Sequence, residues 1–324
     1  MPAISSQFEI AMLAEGPPSI GEGLERRCKL LRLYQAPDPA KAMEAAAPTV
    51  RGLVAAGHSG PISAELMWRF PKLEIVASFG VGYDHIDAAW AGAHGVVVTH
   101  TPGVLDEDVA DIAMALTLNA VRKLPQSEAY LRAGGWLKAP YPLTASLRGR
   151  TMGILGLGRI GKAIARRAEA FGLKVAYHGR KPQAGVAYRF FPTLLGMAGA
   201  CDILMVAAPG GAATRNIVDA KVLEALGPDG VLINISRGSL VDEAALAQAL
   251  RSGKILAAGL DVFADEPNVP AQLLARDNAV LLPHVGSASH HTRGAMAQLV
   301  VDNLLSWMAG EGPLTPVPET PWRR

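Results

Sequence analysis

The chain is expected to fold as an α/β protein of two units, each built around a parallel sheet. Three observations predict this. Short apolar runs, many rich in β-branched residues, alternate with amphipathic helical patterns along the sequence. A strand, Gly-rich turn, helix and strand pattern begins only at Thr151, so four earlier apolar runs belong to a separate N-terminal unit. A length of 324 residues, with 50% hydrophobic and 19% charged side chains, suffices for two cores at roughly 150 residues each.

Strands are predicted first at 9–13, 52–56, 74–78 and 96–99. Residues 104–123 follow, with Val109, Ile112, Ala113, Leu116 and Ala120 on one helical face. Asp106, Glu107 and Asp108 stand at the start of that helix, where its dipole favours negative charge. The stretch 126–150, with its GGW and APYPL segments, is expected to be irregular. Later strands are predicted at 153–155, 174–177, 203–206, 231–235, 257–260 and 280–282. A last helical pattern, 290–308, is expected to return to the N-terminal unit, making that unit discontinuous: 1–100 with 286–324, around an inserted unit 101–285.

Bulk properties exclude several classes. A net charge of +2 without a long basic run argues against nucleic-acid and anionic-membrane partners. No apolar stretch reaches the ~20 residues of a membrane span. The first residues, MPAISSQFEIAMLAEG, lack a basic region followed by an uninterrupted apolar core. Cys28 and Cys201 are far apart and form neither a disulfide framework nor a CxxC metal site. A cytoplasmic protein with no metal centre is expected.

The most informative segment is Gly156-Leu157-Gly158-Arg159-Ile160-Gly161, between an apolar run and an amphipathic helix. Gly156 permits a tight turn, Gly158 admits close approach of a phosphate to backbone, and Gly161 lets helix pack on strand. N–H groups and the positive dipole end at the helix start then hold an anion, which makes this a dinucleotide pyrophosphate site in a Rossmann unit. In the NAD version of such a unit, an acidic residue roughly 20 positions on binds the ribose 2′-hydroxyl. Here the second strand ends in YHGRKP with no acidic residue; Gly179 lies in this cofactor-binding turn, and Arg180 and Lys181 offer positive charge where a 2′-phosphate would sit. NADPH (or NADP) is therefore expected over NADH.

Three later segments place polar residues just beyond apolar runs, where an open α/β sheet binds its ligands. Arg237 follows the run at 231–235, Asp261 ends the run at 257–260 with Glu266 shortly after, and His284 follows the run at 280–282. Singly, each has an ordinary reading as a surface charge, a turn or a hydrogen-bonded histidine. Together they fit reduction of a 2-keto acid. Arg237 pairs with the carboxylate and polarises the keto oxygen, His284 donates the proton, and Glu266 orients His284 and favours its charged form.

GLGRIG, INISRGSLVDEAAL, GLDVFADEP and LLPHVGSAS, with SFGVGYDHID and THTPGVLDEDVAD, resemble the D-2-hydroxyacid dehydrogenases over nearly the whole chain. The resemblance implies a Rossmann domain with a flavodoxin-like substrate domain, an active site where the two meet, and Arg237, Glu266 and His284 as the catalytic set. It further implies that backbone N–H groups around Val81 and Gly82 bind the substrate carboxylate, with Val54 and Ala55 nearby. Cofactor contacts, besides the glycine turn and the basic loop, are implied at Val109, Ala207, Ala208, Pro209, Thr214, Ile235, Ser236, Arg237, Asp261, His284 and Gly286. Within the family, HGRKP and WLKAPYPLTASLRG look like the NADPH-dependent glyoxylate/hydroxypyruvate reductases and hydroxyphenylpyruvate-reducing relatives, in which the arm around Trp136 crosses a homodimer interface. Formate oxidation is not expected, because formate dehydrogenases of this fold carry glutamine where Glu266 stands. Trp136 is read first as a packing residue and His290 and His291 as solvated, with substrate or cofactor contact the other reading. Two alternatives stay open: an NADH-preferring dehydrogenase for a bulkier acid such as hydroxyphenylpyruvate, and a non-catalytic dinucleotide sensor.

Overall fold

Runs that are apolar at every position suit strands covered on both faces, and most of these runs are used that way. The computed structural model describes residues 8–56 and 60–322. The chain divides into two units, one running through Leu105 and resuming at Ser289, the other spanning Asp106–Ala288.

In the first unit β1 (Glu9–Met12), β2 (Lys29–Arg32), β3 (Val50–Ala55), β4 (Ile75–Ser78) and β5 (Val97–Thr99) form an all-parallel sheet in the order β2-β1-β3-β4-β5. Alternation along each strand splits its side chains between two cores. Ile10, Met12, Val54, Ile75, Ala77 and Val97 pack on one face with Ile20, Leu24, Val300 and Leu304 from helices Pro18–Glu25 and His290–Met308. Ala11, Leu53, Ala55, Val76 and Val98 pack on the other with Met67, Phe70 and Ile86. The C-terminal segment covers the β5 edge: Thr99 bridges Pro316, Val317 N–H donates to Val98 O at 2.9 Å, and Val98 N–H donates to Thr320 Oγ1 at 3.0 Å.

The second unit holds β6 (Thr151–Leu155), β7 (Lys174–His178), β8 (Arg189–Phe191), β9 (Ile203–Val206), β10 (Val231–Asn234), β11 (Ala257–Leu260) and β12 (Ala279–Leu281). Their order, β12-β11-β10-β9-β6-β7-β8, runs outward in both directions from β6, which is the doubly wound arrangement with its switch point between β6 and β9. Register puts His178, Leu155, Val206, Asn234, Leu260 and Leu281 in one row across the sheet. The loops that follow these residues therefore all leave from one sheet edge.

Two strands escape the sequence reading. Both β2 and β8 are sheet edges, short and partly exposed, so neither shows a continuous apolar run. The supposedly irregular 126–150 stretch overlaps a helix, Leu124–Arg132, whose first turn accepts Pro125 because the missing N–H there has no helical acceptor in any case. Among the described residues, no helix is long and apolar enough to cross a membrane. None of their His, Cys, Asp and Glu side chains form a group of three or more placed to hold a metal ion.

Candidate active site

Gly156 takes a left-handed φ of 93°, and a Cβ there would lie 2.7 Å from the backbone of Ala208. Only glycine allows that approach of the β6 and β9 ends. Gly156 N–H donates to His178 O at 2.9 Å and Ala207 N–H to Leu155 O at 2.8 Å, fixing the turn against both neighbours. Helix Arg159–Ala170 then starts at Gly158 with no side-chain cap, and space is open where a Gly158 Cβ would stand. An uncapped helix start facing open space fits an anion. On the far side, Gln183 donates to Leu157 O at 2.8 Å, tying the exposed Arg180–Lys181 turn to the glycine turn.

Beyond β10 the buried Asn234 holds the Arg237 turn from within. Its Nδ2 donates to Arg237 O at 2.9 Å and its Oδ1 accepts Ser236 N–H at 3.1 Å. Arg237 N–H donates to Ser236 Oγ at 2.6 Å. A Cβ on the next residue, Gly238, would lie 1.9 Å from the carbonyl carbon of Phe263. The Arg237 turn and the 263–266 loop are thus in backbone contact, which brings the guanidinium near Glu266.

Glu266 Oε1 accepts Phe263 N–H at 2.9 Å, and Oε2 accepts from His284 Nδ1 at 2.7 Å. Burial would raise the Glu266 carboxyl, but the His284 ring, the Phe263 N–H and the charges of His284 and Arg237 outweigh it and hold the group below its ordinary value. Asp261 secures the loop of His284. Its backbone oxygen accepts His284 N–H at 2.9 Å, and its carboxylate oxygens accept the N–H groups of Val285 and Gly286 at 2.7 and 2.8 Å. Burial nevertheless leaves the Asp261 carboxyl raised, despite those two N–H bonds and the His284 charge. With Nδ1 donating to Glu266, the Nε2 side of the half-exposed imidazole is left for a substrate.

The family model for the D-isomer-specific 2-hydroxyacid dehydrogenase NAD-binding domain matches residues 114–286. The chain is 47% identical over 294 residues to a glyoxylate/hydroxypyruvate reductase of Arabidopsis thaliana, covering 91% of this chain and 94% of that one. The chain belongs to the D-2-hydroxyacid dehydrogenase family. It is also 42% identical to the hydroxyphenylpyruvate reductase of Plectranthus scutellarioides, over 95% of this chain and 98% of that one. An NADPH-dependent glyoxylate/hydroxypyruvate reductase from Sinorhizobium meliloti, solved with NADP and malonate, superposes with a TM-score of 0.91 at 50% identity, covering 98% and 99% of the two chains.

The other residues expected in this dehydrogenase fall into distinct settings. Val109 is buried on helix Asp106–Arg122, its methyl groups 3.6 and 3.7 Å from where a Gly286 Cβ would stand. Ala208 and Ile235 are buried, while Thr214 directs its hydroxyl to Pro209 O at 2.9 Å. Val54 and Ala55 are buried in β3, their side chains committed to the two cores of the first sheet. Val81 and Gly82 lie half-buried in the loop after β4, and Trp136, His290 and His291 are exposed. Sequence reading missed Asn234, Gln183 and Glu243, whose Oε1 accepts Ala264 N–H at 2.8 Å. A lone polar residue closing the apolar run VLIN was a usable signal for Asn234. Glu243, one residue into a helix, looks like an ordinary dipole partner, and Gln183 carries no signal at all.

Proposed function

We propose that this protein reduces a small 2-keto acid, glyoxylate or hydroxypyruvate, to the D-2-hydroxy acid with NADPH. The observation that carries the reading is the His284–Glu266 pair, 2.7 Å apart and held at the sheet edge from which the Gly156 turn also leaves. In this reading Arg237 binds the substrate carboxylate and polarises the keto oxygen. His284 gives its Nε2 proton to that oxygen, and Glu266 fixes the ring through its bond to Nδ1. The nicotinamide, when bound, supplies the hydride that reduces the keto carbon.

The residues present fit that cofactor. The first turn of helix Arg159–Ala170 and the open space at Gly158 receive the pyrophosphate, with Leu157, Ile160 and Gly161 shaping the turn. Among the described residues Arg180 and Lys181 make no ion pair and are exposed where a 2′-phosphate would lie, and the S. meliloti relative was solved with NADP. Residues 101–285 are assigned to the dinucleotide, and 1–100 with 286–324 to the substrate. The order β2-β1-β3-β4-β5 supports a flavodoxin-like substrate domain, and Val81 and Gly82 supply its carboxylate-binding N–H groups. The exposed Leu131, Trp136, Leu137 and Leu143 of the arm support a homodimer, and two free, buried cysteines suit a reducing compartment.

The test is NADPH and NADH oxidation against a panel of glyoxylate, hydroxypyruvate and hydroxyphenylpyruvate. The expected result is the highest kcat/KM with NADPH and one of the two small acids. Higher kcat/KM with NADH would overturn the cofactor assignment, a preference for hydroxyphenylpyruvate the substrate assignment, and no turnover with any keto acid the reaction itself.

A further inference from the structure

The loop leaving β4 carries the backbone N–H groups of Val81 and Gly82, and among the described residues neither has an acceptor. The Val81 carbonyl, in contrast, is engaged. His100, the residue after β5, donates to it from Nδ1 at 2.9 Å. A carbonyl only accepts, so this bond places a proton on Nδ1. The peptide linking Val81 to Gly82 is planar and trans, with its C=O and N–H pointing opposite ways. Holding the Val81 oxygen therefore sets where the Gly82 N–H points. Donation to that oxygen also polarises the peptide and makes its N–H a stronger donor.

His100 is itself held in place. Its N–H donates to Thr315 O at 3.2 Å, and its carbonyl accepts the Thr315 hydroxyl at 2.6 Å. Thr315 Oγ1 in turn accepts from Asn303 Nδ2 at 2.9 Å, which ties the arrangement to helix His290–Met308. The Tyr83 ring meets the imidazole edge-on, with centroids 5.5 Å apart, and Tyr83 donates its hydroxyl to Glu319 Oε2 at 2.9 Å. Burial, followed by that bond to Glu319, pushes the Tyr83 phenol up to about 12, so it remains a neutral donor at working pH. One residue on, Thr101 N–H donates to Gly80 O at 2.9 Å and pins the start of the same loop.

We propose that His100 is a positioning residue for the substrate carboxylate, aiming the Gly82 N–H by holding the opposite end of its peptide through Nδ1. This rests on the reading of Val81 and Gly82 as the carboxylate site and names the side chain that orients it. In this role its effect falls on carboxylate binding and not on the chemical step.

Oxalate, which offers the carboxylate without a keto carbon, is the probe. Its Kd is measured by calorimetry on NADP-loaded enzyme, beside glyoxylate KM and kcat, for wild type, His100→Phe and His100→Asn. Phenylalanine keeps the ring against Tyr83 and removes the donor, whereas the asparagine amide reaches the Val81 oxygen from about the Nδ1 position. Loss of one hydrogen bond predicts that His100→Phe weakens oxalate and raises glyoxylate KM about fivefold to tenfold, with kcat, NADP affinity and Tm little changed. His100→Asn should restore binding to within about twofold of wild type. Unchanged oxalate binding in His100→Phe, an equal loss of NADP affinity, or no rescue by asparagine would each overturn the proposal, as would wild type failing to bind oxalate. Wild type that binds oxalate but does not oxidise NADPH with glyoxylate would sink the functional reading alone, leaving the His100 comparison intact.

Discussion

Gly156 and His284 stand just beyond strands of one sheet, and both hold left-handed backbone, with φ of 93° and 53°. At Gly156 no side chain is present, and none would fit beside Ala208. At His284 a bulky side chain is present in spite of a conformation that costs roughly 1–2 kcal/mol for an L-residue. Asp261 offsets that strain with its carbonyl and both carboxylate oxygens, each holding one N–H of residues 284–286. Where backbone must let another group come close, the chain removes the side chain. Where a side chain must be delivered, it accepts strain and holds the loop from the neighbouring strand.

His284→Gly tests this contrast most severely, because it relaxes the backbone and deletes the imidazole together. Loss of a general acid predicts a fall in kcat of about 10²–10⁴-fold, with Tm equal to or above that of wild type. Retained turnover with a lowered Tm would reverse the roles assigned to that position. The mirror-image change, Gly156→Ala, should fail in the other currency. A left-handed alanine pressed against the Ala208 backbone predicts a stability loss of about 2–4 kcal/mol in denaturant unfolding, together with weakened NADPH binding. Binding and stability both near wild type would show that the turn has room for a side chain.

These two positions also differ in how far sequence alone reveals them. The glycine turn was legible because its requirement is local: three glycines at fixed spacing between an apolar run and a helix suffice. His284 and Glu266 were legible as partners only jointly with Arg237, since each taken alone has an ordinary reading. The clamp at Asp261 was not legible. An aspartate at a strand end looks the same whether it faces a ligand or the N–H groups of a loop 24 and 25 positions away, and only the β11–β12 pairing decides. Glu243 escaped for the same reason, since the Ala264 N–H it accepts lies on a turn 21 positions away, whereas Asn234 bonds the turn two and three positions on and was within reach of a local reading. The central strands and the edges β5 and β12 showed themselves as apolar runs, whereas the edges β2 and β8, which open on the exposed Lys29 and Arg189, did not.

Asp261→Asn probes the clamp without changing its shape. An amide has one acceptor oxygen, so either Val285 or Gly286 N–H would face an NH2 group. One buried donor left unsatisfied predicts a loss of about 1–3 kcal/mol, smaller than for Gly156→Ala, and a lower kcat as the His284 loop loosens. Full stability with reduced turnover would place Asp261 among the ligand contacts and remove it as the answer to the strain at His284.

Glu266→Gln should have the smallest effect on stability, and its pH dependence is the informative part. The Glu266 carboxyl lies below its ordinary value of 4.5 in the folded protein, because its bonds to His284 and Phe263 and the nearby positive charges outweigh burial. A depressed carboxyl binds fewer protons folded than unfolded between the two values, so stability rises with pH through that window. The contribution is fully present above the ordinary value and is lost as pH falls through the lower folded one. With the pair partly exposed to solvent, the stabilisation is expected to stay below about 1 kcal/mol. The Tm gap between wild type and Glu266→Gln should therefore be widest near neutral pH and close in acid. A gap of the same size at both ends would mean that the loss does not come from the ionised pair, and no gap at either end would mean that glutamine supports His284 as well as carboxylate does.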